Sequence, residues 1–492
     1  MSNYYHGIIF TGMGDKTLSR PAGAVRIRTW LKKHNYNTEV VDFFGNFSPE
    51  ELIQVCKNYI TEETLFVGIS STFLNNFNKV NFLFNHIKET YPHVKTIIGG
   101  TESELVLLDT KKVDRYIWGY SEEAILHYLD FLSGKRDDDL EWYPFRDSLA
   151  IDAEKKYKND DSDLTIEWKE SDNITINYVP LEISRGCIFR CKFCQFPLLG
   201  KKKFDYIRNE DNLVDELKNN WERWGINNYQ FQDDTYNDNI VKLEYVANAI
   251  EKSGVKITYS AFLRADLLAA YPETIDMMVD TGLIAVSFGI ESLHQKARST
   301  IGKGGNLEKQ LETIKLLKSK APIWTFTGLI AGLPHEPIES LYKTQEWFIE
   351  QQGVYFDRWE WFPLGIKNSS TRRSEFDKDY KKYGYTVDDE NAFYLNWKND
   401  QLTFLSALDL SLKFNNDTKK YRAEREKLGT WPKFAKVMDK YKGLMDVMEM
   451  TGVGIEMKDI IDNTFDVQKI EKFLEKHKND LKKYKNWHMG LS

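Results

Sequence analysis

Short apolar runs alternate with amphipathic helical patterns along the first quarter of the chain. Between Gly7 and Leu132 the apolar runs are GIIFTG, EVVDFF, LFVGISSTF, TIIGG and RYIWG, and a helical pattern follows each of them. Short apolar runs separated by helical stretches are typical of parallel strands joined by crossover helices. The pattern predicts an α/β fold over residues 1–133, a Rossmann-like, doubly wound parallel sheet with its ligand crevice at the carboxyl ends of the strands.

The rest of the chain divides into three parts with different patterns. Residues 134–173 are polar and charged, with the runs KRDDDLE and EKKYKNDDSD, and predict a linker on the surface. Residues 174–364 alternate strand and helix patterns again, which indicates a second α/β unit of about six strands. Residues 365–492 begin with the polar loop KNSSTRRSEF and end in amphipathic helical patterns, so we expect a mostly helical region that covers substrate.

Composition narrows the class of protein. The 492 residues are 41% hydrophobic and 14% aromatic, which is ample for several folded cores. The net charge of -7 disfavours a nucleic-acid backbone as the main partner. Four cysteines in so long a chain do not form the framework of a disulfide-rich secreted protein. Because the sequence shows neither a signal-peptide pattern nor a run of about 18 apolar residues, we expect a cytoplasmic protein without a membrane partner.

A group of cysteines is the strongest chemical signal. Cys187, Cys191 and Cys194 follow the strand-like segment LEIS and the turn residue Gly186. Three thiolates on one short loop can hold three corners of an iron-sulfur cube. The remaining cysteine, Cys56, lies in a helical pattern of the other domain. One iron of such a cube is therefore left open.

A closed structural zinc site is the alternative for these cysteines. Such a site needs four protein ligands. No histidine lies between His127 and His294 to supply the fourth. The sequence therefore favours the iron-sulfur interpretation.

The segment RGCIFRCKFC resembles the cluster loop of radical S-adenosylmethionine (SAM) enzymes, in which the spacing is C-x3-C-x-aromatic-C. Phe193 occupies the aromatic position, beside the SAM site of that family. The resemblance implies that the three cysteines ligate a [4Fe-4S] cluster whose open iron is chelated by SAM. It also implies a partial (β/α)6 barrel and reductive cleavage of SAM to methionine and a 5′-deoxyadenosyl radical.

Weaker matches to the same family follow in order through the second unit. Asp233 and Asp234 end the second barrel strand, where the family places an acidic residue near the SAM amino group, although a helix N-cap is the alternative role. Arg264 resembles the arginine of the family's R-x-D, which implies a contact with the SAM carboxylate, and Asp266 would hold it in place. Glu291 in FGIES would accept hydrogen bonds from the ribose or the amino group.

A glycine pattern marks the predicted fifth strand. GLIAGLPHE resembles the family element G-x-I-x-G-x-x-(x)-E, whose exposed backbone pairs with adenine. Gly328, Ile330 and Gly332 occupy the matching positions. A tight strand end is the alternative explanation for the glycines.

The first unit resembles the cobalamin-binding domain that precedes many radical SAM enzymes. Small polar loops after two of its strands would lie under a large flat ligand; they contain Ser70, Ser71, Thr72, Gly99 and Gly100. The family motif D-x-H-x-x-G supplies a histidine to cobalt after the first strand, whereas this chain reads GMGDKTLSRPAG there, without a histidine. The residues leave two interpretations open, a cobalamin-binding domain and a docking domain that closes the barrel.

Several other features have both a functional and an ordinary interpretation. The basic run Lys201, Lys202 and Lys203 would steer an acidic electron carrier such as flavodoxin or ferredoxin, or is only a solvated surface. Cys56 fits core packing. His294 and His335 adjoin the SAM-like motifs and fit surface or supporting roles better than proton transfer. The aromatic stretch from Tyr355 to Trp397 lines either a substrate pocket or the core.

These observations predict a radical SAM enzyme that acts on a small-molecule or peptide substrate the sequence does not identify. Methylation of an unactivated carbon through methylcobalamin is the leading reaction type. Hydrogen abstraction followed by rearrangement or cyclisation, without cobalamin, is the alternative. The competing class is a non-catalytic iron-sulfur interaction protein, which would lack SAM chemistry.

Overall fold

The computed structural model contains two compact units. It describes residues 4–12, 20–72, 76–102, 105, 107–158, 160–172, 178–196, 205–427, 454–462 and 464–491. The first unit comprises Met1–Thr175 together with Glu471–Ser492, and the second comprises Ile176–Ile470. The chain therefore leaves the first unit, builds the whole second unit and then returns.

The first unit is built on a seven-stranded sheet with the order β2-β1-β3-β4-β5-β7-β6. Its strands are β1 (Gly7–Phe10), β2 (Thr38–Val41), β3 (Phe66–Ser70), β4 (Lys95–Gly100), β5 (Arg115–Trp118), β6 (Tyr143–Phe145) and β7 (Ser148–Asp152). Its helices before the second unit are α1 (Ala22–Lys33), α2 (Pro49–Tyr59), α3 (Phe77–Thr90), α4 (Glu122–Leu132) and α5 (Ala153–Lys156). Every neighbouring pair in this order is parallel except β7 and β6. The strand order reverses between β1 and β3, and doubly wound sheets bind ligands at such a reversal.

Local sequence explains why these elements form. The run GIIF is buried at every position, as expected for a central parallel strand. Helix α2 begins with Ser48 and Glu51 in a reciprocal capping box and with Pro49 in its first turn. The core of this unit lies between the sheet and α2 and α3 and includes Ile8, Leu52, Val67, Leu83 and Ile98.

The segment 134–173, which we expected to be a linker, contains part of this sheet. Its strand β7 pairs in parallel with β5, and β6 pairs antiparallel with β7. Farther along, Asp172 binds the buried Arg28 guanidinium at 2.6 Å, and the carbonyl of Asp163 accepts a hydrogen bond from Arg26 at 2.5 Å. The polar residues that made the segment read as a linker are thus partners of buried arginines on α1.

The second unit is a six-stranded parallel sheet in the order β13-β12-β11-β10-β9-β8. Its strands are β8 (Tyr178–Leu181), β9 (Asn228–Phe231), β10 (Thr258–Leu263), β11 (Leu283–Glu291), β12 (Trp324–Ala331) and β13 (Arg358–Pro363). Its helices along the barrel are α6 (Glu210–Trp224), α7 (Ile240–Ser253), α8 (Ala265–Ala270), α9 (Thr274–Asp280), α10 (Gln295–Ile301), α11 (Leu307–Lys320) and α12 (Ile338–Glu350). Sequential strands with crossover helices form a partial (β/α) barrel, and the predicted fold class is confirmed.

The region after the barrel contains helices and one short hairpin. Its elements are α13 (Glu375–Asp379), β14 (Thr386–Val387), β15 (Trp397–Lys398), α14 (Phe404–Lys427), α15 (Met457–Ile461) and α16 (Val467–His488). From residue 471 onward α16 belongs to the first unit. There the amide of Asp42 donates to the Tyr484 hydroxyl at 2.7 Å, and the His488 ring lies 2.8 Å from the Tyr59 hydroxyl. The end of the predicted substrate-covering region is therefore part of the N-terminal unit.

Candidate active site

The cysteine loop directly follows β8, at the carboxyl end of the barrel strands. The amide of Cys187 donates to the carbonyl of Phe196 at 2.9 Å, and the amide of Cys194 donates to the carbonyl of Cys191 at 3.0 Å. These bonds fold the segment back on itself. The three cysteines therefore share one compact loop, as the sequence spacing predicted.

The chemistry of these thiols suits an iron-sulfur cluster. Burial raises the pKa of Cys194 to about 12 and also raises the pKa of Cys187, so a thiolate here needs a strongly cationic partner. Within the described ranges, no three His, Cys, Asp or Glu side chains meet closely enough to bind one metal ion. A cluster accepts each thiolate at a different iron atom. The donor set therefore fits a [4Fe-4S] cluster better than a single zinc ion.

Arg264 joins the third barrel strand to the cysteine loop. Its Nη1 donates to the Cys191 sulfur at 3.1 Å, and its guanidinium lies 4.0 Å from the centre of the Phe189 ring. Its Nε and Nη2 donate to the Asp266 carboxylate at 3.0 and 2.6 Å. Asp266 thus holds Arg264, as the R-x-D pattern implied. This carboxylate fixes the guanidinium in the position from which it donates to the Cys191 sulfur.

Asp233 lies inside a buried network behind the cysteine loop. The hydroxyl of Ser184 donates to its Oδ1, and the Nζ of Lys242 lies 3.7 Å from the same oxygen. Lys242 is fully buried and also lies 2.7 Å from the Asp238 carboxylate. Burial raises the pKa of Asp233 to about 6. Of the two candidate aspartates, Asp233 is the internal one.

The second aspartate, Asp234, has a buried carboxylate oxygen, Oδ2, without a hydrogen-bond partner among the described residues. Burial raises its pKa to about 7, although Arg372 lowers it. The next residue, Thr235, places its hydroxyl 3.3 Å from the Cys187 sulfur. A carboxylate oxygen without a protein partner beside the cluster loop is suited to an ammonium group of a ligand.

Glu291 ends β11 in a conformation that few glutamates adopt. Its φ is +66°, and the pairing of β11 with β12 shifts register just before it. Its Oε1 lies 3.4 Å from the Nζ of Lys303, which also donates to the carbonyl of Gly289 at 3.1 Å. A Cβ on Gly289 would lie 2.4 Å from that Nζ. A strained residue at a strand end, held by a nearly buried lysine, is typical of a functional site.

Lys303 is a site residue that the sequence interpretation missed. It is only 9% exposed, in the loop between α10 and α11. The signal available in the sequence was a lysine next to glycines in IGKGG, which is indistinguishable from a polar turn. Only the fold brings it to Glu291.

The last glycine of the fifth-strand pattern is hydrogen-bonded within the protein. The carbonyl of Gly332 accepts hydrogen bonds from the Tyr385 hydroxyl at 2.7 Å and from Asn399 at 3.4 Å. The φ of Gly332 is +100°, and a Cβ there would lie 2.3 Å from the Trp397 ring. This carbonyl is therefore occupied by protein. The partly exposed Ile330 is the part of the pattern that stays accessible for adenine.

The glutamate that ends this pattern is buried. Glu336 is 2% exposed and accepts a hydrogen bond from Ser292 at 2.8 Å, while its Oε2 has no partner among the described residues. Burial raises its pKa to about 7. It links the strand ends of β11 and β12 and does not lie open to a ligand.

A brace from the region after the barrel supports the cysteine loop. The Asp377 carboxylate accepts hydrogen bonds from the side chain of Gln195 and from the amide of Ser374, each at 2.7 Å. The amide of Phe376 donates to the carbonyl of Lys192 at 3.0 Å. The sequence interpretation treated this segment only as a polar loop, because no local spacing shows its distant partner.

The expected cobalamin-contacting residues lie at the carboxyl edge of the first sheet. They are Ser70, Ser71, Thr72, Gly99 and Gly100, around the ends of β3 and β4. The Ser71 hydroxyl donates to the carbonyl of Thr101 at 2.6 Å, and its amide donates to Gly99 at 2.8 Å. The φ of Gly100 is +108°, and a Cβ there would lie 2.8 Å from the Thr72 hydroxyl. The edge is thus lined by small residues that a flat ligand can approach closely.

Arg20 is a buried residue at the end of the loop that follows β1, in the segment that has no histidine for cobalt. Its Nε lies 2.7 Å from the Asp42 carboxylate. Its guanidinium lies 5.0 Å from the centre of the Phe43 ring and 5.8 Å from that of Tyr484. Arginine stays protonated in proteins and does not ligate metals, so this position supplies a fixed positive charge.

The remaining candidates have ordinary roles or lie outside the described residues. The run Lys201, Lys202 and Lys203 is outside them. Cys56 is fully buried, and burial raises the pKa of its thiol to about 12. His294 caps α10, and the aromatic stretch contains Trp359, Trp361 and Trp397, which are core residues.

Comparison with known proteins identifies the class of the second unit. Residues 181–348 match the profile of the Radical SAM superfamily. This range begins at the end of β8 and ends in α12, so it contains the cysteine loop, Arg264 and Glu291. The second unit therefore contains a radical SAM domain, as the cysteine spacing predicted, and the cofactors of this superfamily are a [4Fe-4S] cluster and SAM.

Curated relatives extend the likeness beyond this domain. The cytidylyl-2-hydroxyethylphosphonate methyltransferase of Streptomyces wedmorensis is 22% identical over 486 residues, covering 83% of this chain and 87% of its own. The bacteriochlorophyllide d C-12(1)-methyltransferase of Chlorobaculum tepidum is 27% identical over 182 residues, which is 36% of this chain and 38% of that one.

Solved structures share the fold of both units. The methyltransferase TsrM of Kitasatospora setae, with tryptophan and a SAM analogue bound, superimposes with a TM-score of 0.57 at 13% identity over 79% of each chain. The cobalamin-dependent enzyme OxsB, with aqua-cobalamin bound, gives a TM-score of 0.61 at 11% identity over 91% of this chain and 72% of its own. Among the described residues, no helix combines the length and apolarity needed to cross a membrane.

Proposed function

We propose that this chain is a cobalamin-dependent radical SAM methyltransferase that methylates an unactivated carbon of its substrate. The observation that carries the proposal is that one chain combines two features. Arg264 donates to Cys191 in the three-cysteine loop, and small residues line the strand ends of a separate doubly wound unit. Two further findings support it. The relative that covers 83% of the chain is a methyltransferase, and OxsB, which shares the fold, binds cobalamin.

Charged residues of the barrel would each bind the SAM group of complementary character. Asp234 would accept the amino group, because its buried Oδ2 has no hydrogen-bond partner among the described residues. Lys303 would bind the SAM carboxylate, with Arg264 as a second positive charge, and Glu291 would accept the ribose hydroxyls. Ile330 and Phe193 would contact the nucleoside.

The protein's part in the chemistry is to hold the cluster and SAM in place and to shield them from solvent. When bound, the reduced [4Fe-4S] cluster supplies one electron to the sulfonium of SAM. Cys187, Cys191 and Cys194 would ligate this cluster. Arg264 donates a hydrogen bond to one of these cysteines, and Asp377 accepts one from Gln195 next to the last of them, which would hold the ligands in place.

Cobalamin would lie on the carboxyl edge of the first sheet. The small residues Ser70, Ser71, Thr72, Gly99 and Gly100 line that edge and would contact the cobalamin. A cobalamin-free rearrangement or cyclisation is the second candidate, and the missing histidine is the observation that favours it. A non-catalytic iron-sulfur protein would need neither the free carboxylate of Asp234 nor the strained Glu291.

Anaerobic turnover tests the proposal. Reconstituted protein reduced with dithionite should convert SAM to 5′-deoxyadenosine, and Cys191→Ala should abolish this activity. Cys56→Ala is the matched control, because Cys56 is buried in the other unit and should not affect it. If the wild-type protein forms no 5′-deoxyadenosine and its cluster spectrum does not respond to SAM, the radical SAM assignment is wrong for this chain.

A second measurement separates the two reaction types. Protein isolated from cells supplied with cobalamin should carry a corrinoid spectrum, and S-adenosylhomocysteine should form only in its presence. If the protein takes up no cobalamin and still forms 5′-deoxyadenosine, the cobalamin-free reaction is correct.

We also propose that an acidic electron carrier, flavodoxin or ferredoxin, reduces the cluster in the cytoplasm. Reversing the charges of Lys201, Lys202 and Lys203 should then weaken the salt dependence of cluster reduction. An unchanged salt dependence would show that these three lysines do not bind the electron carrier.

A further inference from the structure

We infer that Thr235 is a second hydrogen-bond donor to the cluster ligands, and that its hydroxyl turns from a backbone carbonyl to the sulfur of Cys187 when the cluster binds. The first donor is Arg264, at Cys191. This inference rests on the proposed function, since it concerns the same cluster. Thr235 is buried in the turn after β9, and its Oγ1 lies 3.3 Å from the Cys187 sulfur.

Thr235 does not cap the helix that it precedes. It comes directly before the 3-10 helix Tyr236–Asp238, and a threonine in this place commonly accepts a hydrogen bond from the first amides of the helix. Within the described structure, the Thr235 hydroxyl makes no such capping bond. It donates instead to the carbonyl of Asp234 at 2.7 Å, with its oxygen beside the Cys187 sulfur. The ordinary role of this side chain is therefore unfilled, and the sulfur is its distant partner.

The state of Cys187 decides which atom donates in this contact. A hydroxyl has one hydrogen, and the bond to the Asp234 carbonyl uses it, so the thiol hydrogen of Cys187 fills the contact with Thr235. A cysteine that ligates iron has lost this hydrogen, and its sulfur can only accept. The contact then stays favourable when the Thr235 hydrogen turns to the sulfur. This rotation exchanges a neutral acceptor for a negatively charged one, and charge-assisted hydrogen bonds are the stronger kind.

The backbone on both sides of the Thr235 side chain is held in place. Its carbonyl accepts a hydrogen bond from the fully buried Lys242 at 2.8 Å, and Lys242 lies 2.7 Å from the Asp238 carboxylate. The next residue, Tyr236, is buried, and the centre of its ring lies 5.2 Å from that of Phe231. A β-branched side chain has few rotamers on a fixed backbone. The oxygen of Thr235 therefore keeps its place beside Cys187, and the hydroxyl hydrogen is the part that moves.

Burial increases the effect of this hydrogen bond on the cluster. Cys187 is 8% and Thr235 6% exposed. In such low-dielectric surroundings a hydrogen bond is electrostatically stronger than in water. Reduction adds negative charge to the cluster and its ligands, so a donor at a ligand sulfur stabilises the reduced form more than the oxidised form. Thr235 should therefore make the cluster easier to reduce.

Redox titration of hydroxyl variants tests this inference. The full-length protein carrying its reconstituted cluster is titrated without SAM and followed by electron paramagnetic resonance. At the wild-type midpoint, Thr235→Val should show a ratio of reduced to oxidised cluster about fivefold lower, which is the contribution of one hydrogen bond. Thr235→Ala, which adds no bulk, should show the same change, and Thr235→Ser should keep the wild-type ratio. Thr313→Val is the control, because Thr313 on α11 is a buried threonine whose hydroxyl also donates to a backbone carbonyl, that of Lys309.

A second measurement on the wild-type protein needs no variant. A hydroxyl hydrogen exchanges in deuterium oxide, so the bands of the iron–cysteine stretching vibrations in the resonance Raman spectrum should shift there. The shift should be smaller in Thr235→Ala. Bands that do not shift in the wild-type protein would overturn the inference even if the alanine and valine variants held no cluster.

The outcomes separate this inference from the proposed function. A wild-type midpoint in Thr235→Val and Thr235→Ala would overturn the role of Thr235. The same holds for a shift in Thr235→Ser as large as in the valine variant, and for an equal shift in Thr313→Val. A wild-type protein that carries its cluster but forms no 5′-deoxyadenosine from SAM would instead overturn the proposed function, whatever the potentials show.

Discussion

At the scale of single residues, Lys242 lies in an unusual environment for a lysine. It is fully buried on α7 and lies between two carboxylates, those of Asp233 and Asp238. It also donates to the carbonyl of Thr235 at 2.8 Å, so it fixes the turn that places Thr235 against the Cys187 sulfur. A buried cation of this kind is costly alone and is retained where it orients its partners.

Replacing Lys242 should therefore be much more damaging than replacing an exposed lysine of the same helix. Lys242→Met leaves buried carboxylates without their cation and should lower the free energy of unfolding by about 3 kcal/mol or more. Lys252→Met removes an ion pair with Glu210 whose lysine is 60% exposed, and should cost less than about 1 kcal/mol. Denaturant unfolding measures both. Similar losses in the two variants would show that Lys242 has no special role.

Arg264 leads to a prediction about the electron-accepting centre. A hydrogen bond to a cluster sulfur favours the more negatively charged, reduced form. Arg264→Met removes the donor at Cys191 and should make the midpoint potential of the cluster more negative. A redox titration followed by electron paramagnetic resonance measures the shift. Arg223→Met, on a surface arginine that lies over Trp224, should leave the potential unchanged, and an equal shift in both variants would contradict the assignment.

At the scale of elements, the short hairpin after the barrel holds the end of β12. Tyr385, Trp397 and Asn399 all contact Gly332, two of them by hydrogen bonds to its carbonyl. The hairpin is therefore a fixed support for the strand that carries Ile330, the residue proposed to contact the nucleoside.

Removing one of these hydrogen bonds should weaken SAM binding. Tyr385→Phe loses the bond to Gly332, worth about 1 kcal/mol, and should raise the KM for SAM about fivefold with little change in kcat. Tyr380→Phe is the control, because its hydroxyl donates to the exposed Glu390 at 2.7 Å. Initial rates of 5′-deoxyadenosine formation measure both variants. A fall in kcat with an unchanged KM would mean that the hairpin does not support the SAM site.

The same scale shows what the sequence can and cannot predict. Parallel strands such as β1 and β3 are buried on both faces, so their apolar runs are readable without a partner, and both α/β units were predicted from such runs. The cysteine loop was readable because its ligands are local. In contrast, β7 was missed because it lies in a polar, charged segment, whose Asp163 and Asp172 bind arginines of α1 more than a hundred positions away. Lys303 and Asp377 were missed for the same reason, since only the folded chain brings them to Glu291 and Gln195.

At the scale of the whole molecule, the first unit depends on histidines of the terminal helix. Burial lowers the pKa of His488 to about 4, and its ring lies against Tyr59 and Tyr484. His477, on the same helix, has its pKa lowered to about 4 as well. The folded state therefore contains these rings uncharged, while the unfolded chain protonates them near pH 6.5.

This difference predicts an acid-sensitive first unit. Between pH 6.5 and 4 the unfolded state gains protons that the folded state does not bind, so stability falls with pH. The contribution of His488 amounts to about 3 kcal/mol when complete. The variant His488→Asn should show a shallower fall of Tm across this window than the wild-type protein. His93→Asn, an exposed histidine of the same unit, should retain the wild-type slope, and an identical slope in all three proteins would contradict the prediction.

The return of the last helix also sets an order of events during synthesis. The nascent chain emerges from the ribosome with most of the first sheet ready, but Tyr484 and His488 follow only after residues 176–470. At ordinary translation rates this interval is about 15 to 60 s. The second unit, which carries the cysteine loop, is thus translated in full before the first unit can complete its fold. Any cofactor that needs the complete first unit would therefore bind after the second unit has been made.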